Sequence, residues 1–236
     1  MAERPLFIPA AEGAALVRTK PVEFHWFPGM APSQKQKSVD SLHSAALKLP
    51  GISKVLEVSS KSREELGVAL SAFNLTFTTV KHNRTFSVEC AFQASKVFER
   101  GGPFVDLLGK TSREAKKDER LRESGRLKSF LFFGTEWPLE PQTAFYDWLY
   151  INALKKHAEL TNELLGYSAF TDIEFNPERS INCQAYSVAL YVSLFRRNLL
   201  AEATASKDSF MRIVGKAQIS NARQDDTVQS ILGLHH

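Results

Sequence analysis

Three polar residues recur along one stretch of the chain at a spacing that could do chemistry. Residues 86–98 are expected to form a short strand that runs into a helix, where Glu89, Gln93 and Lys96 share an arc of about 60°. The opposite arc is small and apolar, so the helix should be sunk into the protein. Burial lowers the pKa of an amine, which makes Lys96 a candidate nucleophile or proton carrier beside a carboxylate. The alternative is that the three residues form a solvated polar face.

Other polar side chains stand where they need partners. Ser71 and Asn74 interrupt an apolar run, and buried polar groups must be paired by the protein or by a ligand. Asp172 and Glu174 alternate with apolar residues in a predicted strand, which places them on one face about 7 Å apart. There they could hold sugar hydroxyls or do acid–base work. Asp172 and Glu174 could equally be the solvent-exposed side of an edge strand. Ser71 and Asn74 could have a purely structural role.

Positive charge is concentrated in one segment. Residues 110–128 contain eight Lys or Arg and four Asp or Glu, an excess of four that equals the net charge of the whole chain, +4. A basic stripe of this kind favours a polyanionic partner such as nucleic acid. A solvated helix of mixed charge is the alternative.

The composition is that of a folded protein with a large core. Of the 236 residues, 43% are hydrophobic and 24% are charged, and 17 are Phe. Cys90 and Cys183 stand among apolar residues, so we expect reduced core thiols and neither a disulfide nor a metal pair. No apolar run reaches membrane-spanning length and the first residues lack a signal-peptide pattern, so a cytoplasmic protein without membrane contact is expected. No metal and no cofactor are expected.

The candidate residues need a mixed framework to position them. Helices are expected from capping residues and apolar periodicity, and strands from alternation. The expected helices span 33–48, 143–165 and 180–199, the expected strands span 52–58 and 171–175, and a hairpin joins 76–80 to 85–88. The sequence thus predicts an α+β fold, mainly helical, with a small β-sheet. It predicts a single domain over 1–236, with a core of about residues 5–200 and a polar C-terminal extension at 201–236.

Two motifs of the chain resemble those of the NADAR family. That family typically shows a Gly-x-x-Ser-Asn-Phe piece and then a helix that reads Glu-His-x-x-Gln-x-x-Lys-Phe. The corresponding positions in this chain are Gly67, Ser71, Phe73, Glu89, Gln93, Lys96 and Phe98. Two positions depart from the pattern. Cys90 stands where many members have His, and Ala72 stands where they have Asn, with Asn74 just beyond the motif as a possible replacement amide.

A wider likeness points to one branch of the family. Segments 24–29, 33–38, 70–74 and 170–177 resemble the antitoxins that are encoded beside DarT toxins, and the likeness extends over about residues 5–200. The resemblance implies a NADAR-like fold and an ADP-ribosyl glycohydrolase, an N-glycosidase that removes ADP-ribose from guanine bases of DNA. Such an enzyme would act as the antitoxin to a DarT-type DNA ADP-ribosyltransferase, with a DarT-like toxin as its counterpart.

The resemblance also implies roles for individual residues. Lys96 would attack the opened ribose to form a Schiff base, and Glu89 would move protons. Amide groups would hold ribose hydroxyls, and aromatic planes would stack on a base. The ligand-binding residues would be Ser71, Phe73, Asn74, Gln93, Trp137, Asp172, Glu174 and Asn182.

The partners that follow are ADP-ribosylated DNA and the product ADP-ribose. A modified guanine must leave the base stack to reach a pocket, so single-stranded or locally opened DNA is expected. Residues 110–128 would hold the flanking phosphates, which makes binding sensitive to salt.

Two other functions stay open. The chain could bind ADP-ribose or a nucleotide without cleaving it and neutralise the toxin by direct contact, a hypothesis to which Cys90 in place of the family His lends weight. It could also be an N-glycosidase that acts on a small riboflavin-pathway metabolite, as some members of the family are. Loss of the adduct from modified DNA separates the first function from both.

Overall fold

The computed structural model describes residues 1–29, 31–79, 83–178 and 180–216, and the α+β fold predicted from the sequence is confirmed. Its helices are α1 (Pro32–Ala46), α2 (Glu65–Ala69), α3 (Val88–Ala94), α4 (Ser112–Lys117), α5 (Arg120–Glu123), α6 (Ala144–Leu154), α7 (Ala158–Leu164), α8 (Gln184–Arg196), α9 (Leu200–Ala203) and α10 (Lys207–Lys216). Its strands are β1 (Ala2–Pro9), β2 (Val17–Phe24), β3 (Val55–Glu57), β4 (Thr76–Thr78), β5 (Thr85–Ser87), β6 (Lys96–Phe98), β7 (Leu127–Phe132), β8 (Thr135–Trp137) and β9 (Ala169–Thr171). Within these ranges, no helix is long and apolar enough to cross a membrane.

The strands of the described residues form three small sheets. The largest has the order β2-β1-β9-β3, in which β1 pairs antiparallel with β2 and β9, while β9 pairs parallel with β3. The hairpin β4-β5 and the meander β6-β7-β8 are antiparallel. Because β3 and β9 run in the same direction, their carboxyl ends lie at the same edge of the sheet, where ligand sites of open sheets are commonly built.

Helix α8 lies at the centre of the main core. Its residues are almost all buried, Val188 and Val192 completely, and it packs against α6, β1 and β9. Each fully buried aliphatic side chain contributes about 1.5–3 kcal/mol to folding. Two serines of this helix, Ser187 and Ser193, are also buried. Ser187 Oγ donates a hydrogen bond to the carboxylate of Asp147 on α6. Burial raises the pKa of Asp147 to about 7.

Helix α1 covers the other face of the large sheet and holds the segment that follows β2. Ser38 Oγ accepts a hydrogen bond from Phe27 N at 2.9 Å, and Ser41 Oγ accepts one from His25 N at 3.0 Å. The predicted start of this helix at a Ser33 cap is wrong, because Pro32 occupies its first position. A proline fits there, since the first N–H groups of a helix have no partner within it.

The long helices predicted from periodicity are shorter in the structure. The helix expected over 143–165 is divided into α6 and α7, and His157 at the break lies 2.7 Å through Nε2 from the carbonyl oxygen of Thr76 on β4. The helix expected over 180–199 begins only at Gln184, so residues 180–183 form a loop. The predicted strand at 52–58 is reduced to β3, and the predicted strand at 171–175 is wrong except for Thr171, the last residue of β9.

The core continues beyond the limit predicted near residue 200. Ala203 of α9 and Phe210 of α10 are fully buried in the main core, and Lys207 Nζ donates to Glu136 O at 2.7 Å. The prediction of a polar extension from residue 201 is therefore wrong up to residue 216, because α10 is amphipathic and packs its apolar side against α6 and α9. Residues 217–236 lie outside the described residues.

Candidate functional site

Helix α3 carries two of the predicted site residues in buried positions. It begins directly after β5, where Ser87 caps it by accepting a hydrogen bond from Cys90 N at 3.1 Å. Gln93 Nε2 donates to Glu89 Oε1 at 2.8 Å, and the two residues are 6% and 5% exposed. The other amide atom, Gln93 Oε1, is buried and has no hydrogen-bond partner among the described residues. A buried carbonyl oxygen without a donor costs about 1–3 kcal/mol, so this oxygen is a candidate ligand contact.

Lys96 lies on a strand, although the sequence predicted it on the same helix as Glu89. Helix α3 ends before it, because the backbone of Ser95 turns toward β7 and its carbonyl oxygen accepts a hydrogen bond from Leu131 N at 2.7 Å. Lys96 then begins β6. It follows the helix so closely that its Nζ still lies 4.8 Å from the ring centroid of Phe92 on α3.

The protonation of Lys96 is governed by its surroundings. Burial lowers the pKa of its amine to about 8, since the ammonium loses hydration; the charge of Glu89 acts in the opposite direction, and the charge of Lys116 lowers the pKa further. At pH 7 about a tenth of the Lys96 amine is therefore neutral, far more than for an ordinary lysine, and only the neutral form can act as a nucleophile.

A glycine turn packs against the backbone of Lys96. Gly102 has a φ of +88°, and a Cβ atom at this position would lie 2.2 Å from Lys96 O. Any larger residue would push the strand that carries the amine. The turn formed by the Gly-Gly-Pro segment at 101–103 thus helps to position Lys96. This role explains the glycines, because the segment lacks the Lys and Ser/Thr spacing of a phosphate-binding loop.

Acidic residues stand at the carboxyl ends of β3 and β9. Those that follow β9, Asp172 and Glu174, form the other wall of the site, whereas Glu57 at the end of β3 does not line it. Glu57 ends β3, is 1% exposed and accepts a hydrogen bond from Ser59 Oγ at 2.6 Å. Asp172 follows β9, and its Oδ1 accepts from Glu174 N at 3.0 Å. Asp172 and Glu174 therefore belong to a turn, and the predicted strand with both carboxylates on one face is wrong.

The carboxyl groups of Glu57 and Asp172 are buried, so they keep their protons to a higher pH than exposed carboxyl groups do. Burial raises the pKa of Glu57 to about 8 and that of Asp172 to about 7, and the charge of Asp172 raises the pKa of Glu57 further. Thr171 Oγ1 donates to Glu57 Oε2 at 2.7 Å and lies 2.9 Å from His43 Nε2. Burial lowers the pKa of His43 to about 4, which keeps its ring neutral at neutral pH.

The two walls face each other across one cavity with a volume of about 290 Å³. The described residues that line it are Ser59, Ser60, Ser71, Ala72, Phe73, Glu89, Phe92, Gln93, Lys96, Lys116, Tyr146, Asp172, Glu174, Phe175, Ser180, Asn182 and Gln184. Of the site residues predicted from the sequence, all but Asn74 and Trp137 are in this set. The cavity thus brings together residues from four separate stretches of the chain, 59–73, 89–116, Tyr146 and 172–184.

Two predicted ligand residues lie elsewhere. Trp137 is 1% exposed and packs against Phe145 and Trp148, with ring centroids 5.6 and 4.9 Å away, so its stacking role on a base is wrong. Asn74 is exposed, and its Nδ2 donates to Val68 O at 2.8 Å. Its amide closes a local turn, and it is absent from the described cavity lining, so it does not replace the family amide there.

Nine of the described lining residues were not predicted as site residues, and Lys116 and Gln184 are two of them. Lys116 on α4 was seen only as part of the basic segment, yet its Nζ lies 5.1 Å from the ring centroid of Phe73 at the cavity. Gln184, the first residue of α8, accepts a hydrogen bond from Ala72 N at 2.7 Å through Oε1 and also hydrogen-bonds Asp172. Only its nearness to Asn182 in the sequence could have indicated it.

Cys90, where the family pattern has His, packs on the side of α3 away from the cavity. Its Sγ donates to Lys110 O at 3.2 Å, and it packs with Leu107 and Ala115 in a small apolar cluster. It is not one of the described lining residues. The thiol therefore makes no contact with a ligand in the cavity.

Comparison with known proteins gives one match. Residues 2–224 match the protein family described as DarT1-associated NADAR antitoxin. No individually curated protein matches the chain. The matched range contains both walls of the cavity.

Proposed function

The chain belongs to the DarT1-associated NADAR antitoxin family, and we propose that it is a glycosidase that removes ADP-ribose from guanine bases of DNA. It would thereby reverse the modification made by a DarT-like toxin, the counterpart that the family implies. The observation that carries the proposal is that Lys96, an amine with a lowered pKa, and Glu89, a carboxylate, line one cavity.

The first step opens the sugar. ADP-ribose on the exocyclic amine of guanine is a glycosylamine, so the nitrogen lone pair can expel the ring oxygen and form a C1=N bond. The ring oxygen takes up a proton as it leaves C1. Glu89 is the carboxyl group that would deliver this proton and later recover one, and its hydrogen bond from Gln93 fixes its orientation.

The second step uses the neutral amine of Lys96. Its lone pair attacks C1 of the protonated imine, so a C1–Nζ bond forms while the C1=N double bond to guanine becomes a single bond. A proton moves from Nζ to the guanine nitrogen, the C1–N bond to guanine breaks, and the base leaves with its amine intact. The sugar remains on Lys96 as a Schiff base. Water then adds to C1, the C1–Nζ bond breaks, and free ADP-ribose and the amine are regenerated.

The remaining cavity residues would bind the substrate. Gln93 Oε1 lacks a donor, which a ribose hydroxyl would supply. Phe73 is only partly buried and offers a ring on which a base can stack. Ser71, Asn182 and the carboxyl groups of Asp172 and Glu174 provide further hydrogen-bonding groups around the same space.

The basic segment 110–128 would hold the flanking DNA phosphates. Arg120 and Arg126 are occupied by ion pairs with carboxylates at 2.7–2.8 Å. Arg113 and Arg122 are exposed and form no ion pair with the carboxylates that the structure describes. Binding of DNA should therefore weaken as salt rises.

The test is removal of the adduct. A single-stranded oligonucleotide with one ADP-ribosylated guanine is incubated with the wild type, Lys96→Met and, as a matched control from the exposed face of α4, Lys117→Met. The wild type and the control should release ADP-ribose, while Lys96→Met should lose activity by about 10³-fold or more. Persistence of the adduct with the wild type, or equal removal by Lys96→Met, contradicts the proposal.

Reduction with borohydride tests the covalent step. It should convert the Schiff base to a stable amine and leave ADP-ribose on the peptide that contains Lys96, in the wild type but not in Lys96→Met. Product release without any trapped species would contradict the Schiff base. If calorimetry shows that ADP-ribose binds while modified DNA stays intact, the chain is a binding module instead. Turnover of small phosphorylated pyrimidines alone would indicate the metabolite glycosidase.

A further inference from the structure

A second amine lines the cavity, and the reaction of Lys96 gives it no task. Lys116 reaches the cavity from α4, with its Nζ 5.1 Å from the ring centroid of Phe73. Among the described residues, no carboxylate lies within 4 Å of this ammonium. An ammonium on a cavity wall without a counter-ion is suited to an anionic part of a ligand.

The helix of Lys116 is fixed relative to the catalytic groups. A capping box starts α4, in which Thr111 and Glu114 bond each other's backbone N–H groups. Ser112 Oγ lies 2.9 Å from Phe73 O and 2.8 Å from Ser87 Oγ, which ties α4 to the Phe73 loop and to the first turn of α3. The backbone of Lys116 is thus held in a fixed position relative to Glu89, and only the flexible Lys116 side chain has to adjust to a ligand.

The charges around the cavity are unevenly distributed. Lys116 is close enough to Lys96 for its charge to act on that amine, so the two amines lie near each other, with the Glu89 carboxylate also close to Lys96. Asp172 and Glu174 stand on the other wall, after β9. A ligand that carries negative charge on one part should therefore place that part toward the amines.

We propose that Lys116 binds the diphosphate of ADP-ribose and thereby makes the cavity selective for sugars that carry a diphosphate. The inference rests on the proposed function. When C1 of the ribose lies at Lys96, the diphosphate begins at C5 of the same sugar, one ring away. The part of the cavity that holds both amines can then serve attack at C1 and neutralisation of the phosphates together.

The consequence is a preference among adducts. An ADP-ribosyl group gains a charge-assisted contact with Lys116 that a bare ribosyl group lacks. Both substrates can be made from one modified oligonucleotide, because a pyrophosphatase that cuts the diphosphate and spares the DNA phosphodiesters, followed by a phosphatase, trims ADP-ribosyl-guanine to ribosyl-guanine. The carbon that Lys96 attacks is the same in both.

The experiment compares kcat/KM for the two oligonucleotides with the wild type, Lys116→Met, Lys116→Arg and the neighbouring Lys117→Met. The wild type should prefer the ADP-ribosyl substrate, and Lys116→Met should reduce that preference by about 10- to 100-fold, mainly through KM. Lys116→Arg should retain most of the preference and Lys117→Met all of it. If the substitution changed only the reactivity of Lys96, kcat/KM would change equally for both substrates, and their ratio would stay the same.

The outcomes distinguish the two levels of the argument. An unchanged ratio in Lys116→Met overturns the inference, as does a wild type that removes both groups equally well. A wild type that removes neither group contradicts the proposed function itself. In addition, calorimetry with free ADP-ribose should show weaker binding to Lys116→Met than to Lys117→Met, and equal affinities would speak against the diphosphate site.

Discussion

Gln93 donates its amide nitrogen to Glu89 at 2.8 Å, and this bond leaves the amide oxygen of Gln93 without a donor among the described residues. The reverse orientation of the amide would place its oxygen against a carboxylate oxygen, so the observed one is fixed. The pair thus shows two hydrogen-bond acceptors at the cavity, a carboxylate and a carbonyl oxygen, which suits a ligand rich in hydroxyl groups.

We expect Gln93→Met to weaken the binding of ADP-ribose. The substitution keeps the length of the side chain but removes the unpaired acceptor, so one hydrogen bond to the ligand is lost, worth about 0.5–1.5 kcal/mol or roughly 3- to 10-fold in affinity. Calorimetry with ADP-ribose measures the change. Gln142→Met, at an exposed loop position, is the control, and equal affinity of both variants would show that Gln93 Oε1 meets no ligand.

The activity should rise with pH and level off above pH 8. Burial lowers the pKa of Lys96 to about 8, and only the neutral amine can attack, so kcat/KM should increase as pH rises through this value. Lys116→Met removes a repelling charge, so the pKa of Lys96 should rise and the acid limb of the profile should move to higher pH. Profiles of both proteins and of Lys117→Met check this. A profile that falls with rising pH would contradict attack by Lys96.

The stability of the fold should fall as pH rises from about 4 toward 8. The pKa values of Glu57 and Asp172 are raised by burial to about 8 and about 7, whereas in the unfolded chain these groups ionise near pH 4. The unfolded state therefore binds fewer protons in this window, and stability is lost at up to about 1.4 kcal/mol per pH unit for each proton. The contribution is fully present below pH 4.

Glu57→Gln should flatten this dependence. The variant keeps an acceptor for Ser59, and its amide can donate to Thr171, whose own proton then turns to His43. Urea unfolding at several pH values measures the slope, with Glu159→Gln at an exposed position as the control. The same slope in both variants would show that Glu57 is ionised in the folded protein.

Gly102→Ala should destabilise the protein more than Gly13→Ala. Both glycines have a positive φ, +88° and +85°, which costs about 1–2 kcal/mol for alanine. A Cβ at Gly13 meets nothing within 4 Å, but at Gly102 it would lie 2.2 Å from Lys96 O, which adds about 1–3 kcal/mol for overpacking. Thermal unfolding measures both. Activity should fall in Gly102→Ala alone, because β6 carries Lys96. Equal activity of the two variants would show that the turn does not position Lys96.

The sequence predicted what local spacing controls. The α+β fold is confirmed, as are the hairpin at β4-β5 and the strand that runs into α3. Glu89 and Gln93 hydrogen-bond each other because they are four residues apart on one helix. The family predicted from short motifs is confirmed. Most residues of those motifs line the cavity.

Long-range pairing decided what the sequence could not predict. Helical periodicity extends through Lys96, but the pairing of β6 with β7 ends the helix first. Trp137 follows a turn and looked accessible, yet β8 pairs with β7, and α6 and α10 cover its ring. Lys116 is one of eight cations in its segment, and only the packing of α4 on α3 brings it to the cavity. Tertiary contacts of this kind override local propensity.

Strand β9 has three residues, yet it is the seam that joins β1 to β3, and Asp172 follows it directly. All three of its residues are completely buried, and β9 lies between β1 and β3 inside the sheet. Core strands of this kind open only at a free energy close to that of global unfolding. The acidic residues that follow β9 should therefore keep their place for as long as the domain stays folded, and a protease that needs a locally opened segment would have to cut elsewhere.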